Sequence, residues 1–326
     1  MARPPSARLA NLDLNLLVAL RELIRERNVT RAAARIGVSQ PAASAALSRL
    51  RRHFDDELLA RGRGGYVLTP LAMQLADQVE AVCAAAERLF ATGTSFEPGS
   101  TRREFTLLMA DYTVAVLGSR LAAELAARAP GVDLHVRLVR EQFSTDAATI
   151  VRLVDGMIAP PVRGLDLPGV RSVELFTDRW VCVVDAANPH VGHTLSLDQL
   201  AAMCWVAPFQ PDRGFPGAAP MSRQLARFGI QPRIRVRVES YQAVPYFVAG
   251  TDHVALMQER LARQVAERLG LRVLPCPGEP EPIVEKFWWH ADLDGDPAHR
   301  WFREELVTLA AKPRPRPIGP IDGPAG

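Results

Sequence analysis

Lysine is almost absent from this chain: Lys286 and Lys312 are the only two, although lysine and arginine together number 39. Neither stands in a phosphate loop, and the single glycine-rich stretch, Gly62 to Gly65, carries an arginine instead. Cysteine is equally sparse. Cys83, Cys182, Cys204 and Cys276 are far apart with no paired spacing, which argues against a disulfide framework or a zinc knuckle and for reduced thiols in a cytoplasmic setting. No uncharged run reaches the ~20 residues of a membrane helix. The apolar run Leu14 to Leu20 is broken by Asn15 and followed at once by Arg21 and Glu22, so no secretory leader and no membrane partner are expected. His190, His193, His290 and His299 have no companions at metal-ligand or catalytic-triad spacing. The expectation is a chain with no catalytic residues, no metal and no cofactor.

What is present is unevenly placed. The net charge is +3 over 326 residues, but residues 1–70 hold 12 arginines against 6 acids, so the head is +6 and the remainder −3. A basic head on a slightly acidic body suits a protein that meets phosphates at one end. The apolar share, 48%, is ordinary for a globular chain, and the length allows a small domain and a larger one.

The head is built around Asn28 to Thr69. Thr30 is placed to N-cap a helix running through Ile36, and Gly37 ends it, because glycine enters the left-handed cap conformation cheaply. Ser39 caps a second helix with Pro41 in its first turn, where a missing N–H costs nothing. Ala43, Leu47, Leu50 and Phe54 share one side of that helix, leaving Ser44, Ser48, Arg51 and Arg52 polar. A helix offering small hydroxyls and arginines after a glycine turn fits a major groove. Arg61-Gly62-Arg63-Gly64-Gly65 before Tyr66-Val67-Leu68-Thr69 reads as a basic hairpin, a wing. Leu16, Leu17, Leu20 and Ile24 form one face of a supporting first helix. Pro70 breaks the wing strand, and a long helix follows from about Leu71 to Phe90. Its apolar positions Leu75, Val79, Val82, Ala86 and Leu89 make a heptad seam, which favours a dimer-forming linker over a helix packed on its own domain.

The segments VTRAAARIGVSQPAASAALSRLR and DELLARGRGGYVLTPLA, with the helix before them, resemble the DNA-binding domain of LysR-type transcriptional regulators in order and spacing. That resemblance implies that Gln40, Pro41 and Ser44 meet base edges. Thr30, Ser39, Arg49, Arg52, Arg61 and Arg63 would lie near the backbone, and Ser48 completes the DNA-binding set. Ala45 stands where many relatives carry arginine, which shifts readout toward Gln40 and DNA shape, and Arg51 replaces a frequent glutamate.

Residues 93–102 read as a hinge, small and polar with Pro98 and Gly99. Beyond Arg103, strands alternate with helices, which implies a mostly parallel sheet with helices on both faces. Strands are expected at Glu104 to Ala110, Val132 to Val139, Asp155 to Ala159, Glu174 to Asp185, Cys204 to Ala207, Arg233 to Val238, Val254 to Met257 and Glu285 to Ala291. Helices are expected at Tyr112 to Arg128, Asp146 to Leu153, Leu197 to Met203, Met221 to Phe228, Tyr241 to Ala249, Gln258 to Leu269 and Pro297 to Ala311. Two such halves resemble the periplasmic-binding-protein-like effector domain of the same family, and ELFTDRWVCVVDAANP and DPAHRWFREEL resemble its nodulation-protein and salicylate-type aromatic-responsive branch.

The expected fold is therefore α/β: an N-terminal winged helix-turn-helix (1–70), a dimerisation linker helix (71–92), the hinge, and a two-lobed effector-binding domain (103–311). Lobe 1 takes about 103–172 and 270–311, lobe 2 about 173–269, and 312–326 form a disordered Pro/Gly-rich tail. An effector would lie in the crevice at the carboxyl ends of the strands. Tyr112 and Thr113 follow the first strand there, with Thr113 placed to receive an anion. Phe209 and Gln210, then Ser240 and Tyr241, follow strands of the second half, and Gly250-Thr251 matches the family's glycine turn. Gly156, where an apolar residue is usual, suggests a loose strand. The expected function is a sequence-specific transcriptional regulator, a homodimer or homotetramer on double-stranded DNA, controlled by a small-molecule and possibly aromatic effector. A small-molecule binding protein, or an architectural DNA binder without effector control, are the alternatives.

Overall fold

The computed structural model describes residues 13–62, 65–91, 96–138, 151–161, 165, 167–208 and 220–311. The chain divides into two units, Met1–Thr94 and Ser95–Gly326.

In the first unit, α1 (Asn15–Glu26), α2 (Val29–Ile36) and α3 (Gln40–Phe54) pack around Leu20, Leu23, Ala32, Leu47 and Leu50. The cap of α2 is Asn28 rather than Thr30: its Oδ1 accepts from the N–H groups of Thr30 and Arg31 at 2.9 and 3.0 Å. Gly37 ends α2 at φ +76°, and Ser39 caps α3 through the Ala42 N–H, as expected. The hairpin β1 (Leu59–Gly62) and β2 (Gly65–Leu68) pairs Gly62 with Gly65. Arg51, which the sequence reading left on the polar face, instead ties α3 to this wing by donating to the carbonyls of Glu57 and Leu59. Pro70 opens α4 (Pro70–Ala91), and the Thr69 hydroxyl caps it by accepting from Ala72 N–H at 3.1 Å.

The heptad seam of α4 divides. Ala72, Val79 and Cys83 are buried in the three-helix core with Leu75 beside them, whereas Val82 is 48% and Met73 58% exposed. Leu75 and Val79 of the stripe stabilise their own unit, whereas Val82 and Ala86 face outward.

The second unit holds two five-stranded sheets. The first runs β4-β3-β5-β12-β6, from β3 (Arg103–Met109), β4 (Val132–Leu138), β5 (Gly156–Ala159), β6 (Val170–Asp178) and β12 (Ile283–His290). The second runs β11-β7-β10-β8-β9, from β7 (Trp180–Asp185), β8 (Cys204–Pro208), β9 (Arg233–Val238), β10 (Val254–Gln258) and β11 (Leu271–Pro275). Each is mixed rather than mostly parallel: β4, β3 and β5 are parallel to one another, as are β10, β8 and β9, and the remaining pairs are antiparallel. In each sheet a single strand runs against the other four, β12 in the first and β7 in the second, and each is the strand the chain enters on crossing from the other lobe.

The lobe boundaries move accordingly. β6 belongs wholly to the first sheet, so the outward crossing is at Arg179 and not near 172. The chain returns after β11, so the second crossing lies between Pro275 and Ile283 and not at 269. The helical stretch after β3 starts at Asp111, is π-helical over Val114–Gly118 and continues as α5 (Ser119–Arg128), burying Leu117, Leu121 and Leu125. Lobe 2 carries α6 (Leu197–Ala202), α7 (Pro220–Arg227), α8 (Val244–Val248) and α9 (Glu259–Val265), and α10 (Pro297–Ala311) closes lobe 1. Most of the segment expected as a helix over 146–153 lies outside the described residues.

Gly156 is not a loose point. A Cβ there would overlap the Phe287 ring and stand 3.1 Å from the Trp288 carbonyl, so the glycine is what lets β12 pack against β5. Asp155 beside it accepts from Arg103 and from the Thr106 N–H, and its carbonyl meets the buried His299 ring at 2.6 Å.

Candidate nucleic-acid interface and effector crevice

Along α3, Gln40, Ser44, Ser48 and Arg52 recur every four residues and form one row on the side away from Ala43, Ala46, Leu47 and Leu50. Pro41, Ala45 and Arg49 form the adjacent row, and all of these except the half-buried Ser44 are exposed. The row is internally bonded: Gln40 Nε2 donates to Ser44 Oγ at 3.2 Å, and Ser48 Oγ donates to the Ser44 carbonyl at 3.0 Å. One amide N–H of Gln40 is thus spent on orienting the side chain. The other, with Oε1, remains for the paired donor and acceptor of a base edge. Thr30 and Ser39 are exposed at the starts of α2 and α3, and Arg61 is exposed on the wing. Arg49 pairs with Asp13 at 3.0 Å, a tie the sequence did not announce. Arg63 lies outside the described residues.

Behind this surface sits a node that sequence reasoning missed. Glu22 on α1 is 4% exposed and bonds Arg21 and, from α2, Arg35 at 2.7 Å. Arg25 reaches both Glu22 and Glu80 on α4. Burial pushes the Glu22 carboxyl up, but the Arg35 hydrogen bond and the charges of Arg21, Arg25 and Arg35 outweigh it and hold the group below its ordinary value. A glutamate at an otherwise apolar helix position is the signal that was available.

In the second unit the carboxyl ends of β3 and β6 face the carboxyl ends of β8 and β9. Tyr112 and Thr113 are buried, at 1% and 0% exposure. Tyr112 donates to Asp178 Oδ2 at 2.5 Å; burial, then the Asp178 charge and hydrogen bond, push its hydroxyl far above the usual range. Thr113 Oγ1 has no partner among the described residues. Asp111, not Thr113, joins the lobes: its carboxylate accepts from Ser240 Oγ at 2.7 Å and Gln242 N–H at 3.0 Å, and its carbonyl accepts from Gln242 Nε2 at 2.7 Å. A second oxygen accepts from Tyr112 N–H, so the helix start already holds a carboxylate and is not an open anion site. Tyr241 is buried with its ring centroid 6.3 Å from that of Trp180.

The structure brings Tyr112, Thr113, Ser240 and Tyr241 to one junction. It does not bring Gly250 and Thr251 there. They follow α8 at the opposite end of the second sheet, where Gly250 N–H donates to Asp185 Oδ2 at the end of β7, because β7 runs antiparallel to β10. Phe209 and Gln210 lie outside the described residues.

A helix-turn-helix with a bonded polar row and a wing, followed by a two-lobed mixed α/β unit with a polar junction between its sheets, defines a DNA-binding regulator with a small-molecule-binding domain. The comparisons agree. Residues 14–73 match the bacterial regulatory helix-turn-helix protein, lysR family, and residues 98–311 match the LysR substrate binding domain. The chain belongs to the LysR family. It is 33% identical over 304 residues to the HTH-type transcriptional regulator SyrM of Rhizobium meliloti, covering 93% of this chain and 90% of that one. It is 31% identical over 306 residues to Nodulation protein D 2 of Rhizobium tropici, covering 93% and 95%. Among solved structures, a probable transcriptional regulator from Pseudomonas aeruginosa superposes with a TM-score of 0.71 at 28% identity, covering 93% of this chain and 97% of that one. CbnR complexed with its target DNA shares the fold at a TM-score of 0.62 and 16% identity, covering 92% of this chain and 100% of that one.

Proposed function

We propose that α3 reads operator DNA through Gln40, Pro41 and Ser44, while Thr30, Ser39, Ser48, Arg49, Arg52, Arg61 and Arg63 hold the sugar–phosphate backbone. A small effector bound between the lobes controls the placement of paired heads. The observation that carries the reading is the Gln40–Ser44–Ser48 row, pre-bonded, with Gln40 and Ser48 exposed and Ser44 half-buried, on a capped helix that follows a glycine turn. Tyr112, Thr113, Ser240 and Tyr241 are the effector-facing residues that support it, with Phe209 and Gln210 as further candidates. Asp111 and Asp178 at the same junction disfavour a carboxylate effector and favour an uncharged aromatic one. The exposed Val82 of the α4 seam supports pairing of linker helices in a homodimer or homotetramer. The chain acts in the cytoplasm as a regulator and not as an enzyme. In this reading 1–70 bind DNA, 71–92 pair, 93–102 hinge, 103–311 bind effector, and 312–326 are a tail.

Substitution separates the two kinds of DNA contact. Ser44→Ala should cost about 1–3 kcal/mol of discrimination between operator and mismatched sites. Arg52→Ala should weaken binding to all sequences alike and flatten the salt dependence. Unchanged discrimination in Ser44→Ala, measured by fluorescence anisotropy on both DNAs, contradicts the base-reading assignment.

A further inference from the structure

The wing leaves α3 through a strained turn. Four non-glycine residues among those described have positive φ. Arg27 and Asp55 are exposed helix caps, Glu279 is exposed in the loop before β12, and Leu58 is buried. Leu58 is the last residue before β1, at φ +57° and 1% exposure, and the Leu59 N–H donates to the Glu57 carbonyl around it at 2.5 Å. An i to i+2 bond about a left-handed residue is the rarer form of γ-turn, and a side chain at its centre adds to the cost. Such a conformation persists only where its surroundings hold it.

The surroundings here hold it from three sides. Asp56 Oδ1 accepts from the Leu58 N–H and from the Thr69 hydroxyl, each at 2.6 Å, and the Leu58 carbonyl accepts from the Thr69 N–H at 3.0 Å. The Leu58 side chain belongs to the core of the head. From α3, Arg51 reaches both flanks of the turn. Its Nε donates to the Glu57 carbonyl at 2.9 Å and its Nη2 to the Leu59 carbonyl at 2.8 Å, one residue to either side of Leu58. The Glu57 carboxylate lies 2.8 Å from the same Nη2. Arg51 therefore spends these donors on the protein and has its charge answered there, which leaves it poorly suited to hold a phosphate itself. Arg61, exposed two residues beyond Leu59 on β1, is carried by whatever orientation the turn imposes.

We propose that Arg51 is a positioning residue for DNA binding: its guanidinium clamps the carbonyls on either side of Leu58 and so sets where the wing, with Arg61, stands against the row that α3 presents. That Arg61 meets phosphate rests on the function proposed above; the clamp itself does not. Arginine suits the task because it offers two nitrogens in one fixed plane, where lysine carries the same charge on one. Without the clamp the strained turn relaxes and the wing shifts relative to α3, while the Gln40–Ser44–Ser48 row keeps its own bonds.

Fluorescence anisotropy of the full chain on its upstream DNA and on a scrambled duplex, across a salt series, tests this with Arg51→Lys, Arg61→Ala and the double variant. Arg61→Ala should lower the slope of log affinity against log salt by about 0.9 per head. Arg51→Lys should lower it similarly despite its retained charge, and adding Arg61→Ala to it should cost little more, because both act through one contact. The ratio of upstream to scrambled affinity should stay within about twofold of the wild type, since phosphate contacts carry no sequence information. A wild-type slope in Arg51→Lys, an equal effect of Arg61→Ala in both backgrounds, or a ratio that collapses together with the slope overturns the proposal. If Arg61→Ala alone changes nothing, the phosphate reading falls and hydrogen exchange decides the clamp. Residues 58–68 should then exchange about tenfold faster in Arg51→Lys than in the wild type, with 28–37 unchanged. Equal rates over 58–68 overturn it.

Discussion

Asn28 and Thr30 show what a single position can and cannot announce. Both are good capping residues, and the choice between them depends on which one adopts extended backbone. Asn28 does, at φ −156°, and its longer side chain reaches two orphan N–H groups at once. His299 shows the opposite case, a residue whose environment is invisible in the chain. It is fully buried, its Nε2 meets the Asp155 carbonyl and its Nδ1 meets Arg303, which fixes it as a neutral ring. Burial lowers it to about 4, against the raising effects of the Asp155 hydrogen bond and charge, with smaller lowering contributions from the charges of Arg303 and Arg103. A depressed histidine stabilises the fold fully above its unfolded value near 6.5 and loses that contribution as pH falls from 6.5 to 4. The loss should amount to about 3 kcal/mol. The buried Glu285, pushed up to about 8 by burial and then the Asp178 charge, works in the opposite sense between pH 4.5 and 8, so the test is urea unfolding of Glu285→Gln over pH 7 to 4. A stability that does not decline in that window contradicts a neutral buried His299.

At the scale of elements, strict patterns were legible and continuous ones were not. Arg233–Val238 alternates arginine with apolar residues and is a strand over that very range, and Pro297–Ala311 shows a helical stripe opened by proline and is a helix over that range. The run from Glu174 to Asp185 contains no glycine or proline, so the change of sheet at Arg179 is marked only by the charged pair Asp178-Arg179. Leu271–Pro275 gives no readable strand signal, because the four residues of mixed character between Gly270 and Pro275 carry little period. The candidate site divides in the same way. The exposed polar row of α3 follows from helical spacing alone, whereas the Asp111–Ser240–Gln242 junction and the displacement of Gly250 depend on strand order, which no local pattern contains. Gly156 was misread because its reason is a ring on a strand more than a hundred residues away. Gly156→Ala should force Phe287 or β12 to shift and cost about 1–3 kcal/mol, read as a lower Tm of the full chain. An unchanged Tm would show that the contact relaxes freely.

On the scale of the whole molecule, each unit has its own core, and the proposed function requires that more than one copy act together. The exposed part of α4 is where that requirement is most easily tested. Val82 is 48% exposed and Val79 is 5% exposed, so Val82→Asp should leave the head folded while shifting the sedimentation profile toward monomer. An unaltered oligomer with an unaltered melting curve would place the pairing surface elsewhere. Dissociation would also lower operator affinity steeply, because two heads bound to one DNA gain from their linkage.

The most direct test is fluorescence anisotropy of the full-length chain on its own upstream DNA against a scrambled duplex, across a salt series. The account predicts a preference of ~10³-fold or more for the upstream DNA, with affinity for both falling steeply as salt rises. Equal and weak binding to both duplexes at every salt concentration would contradict it.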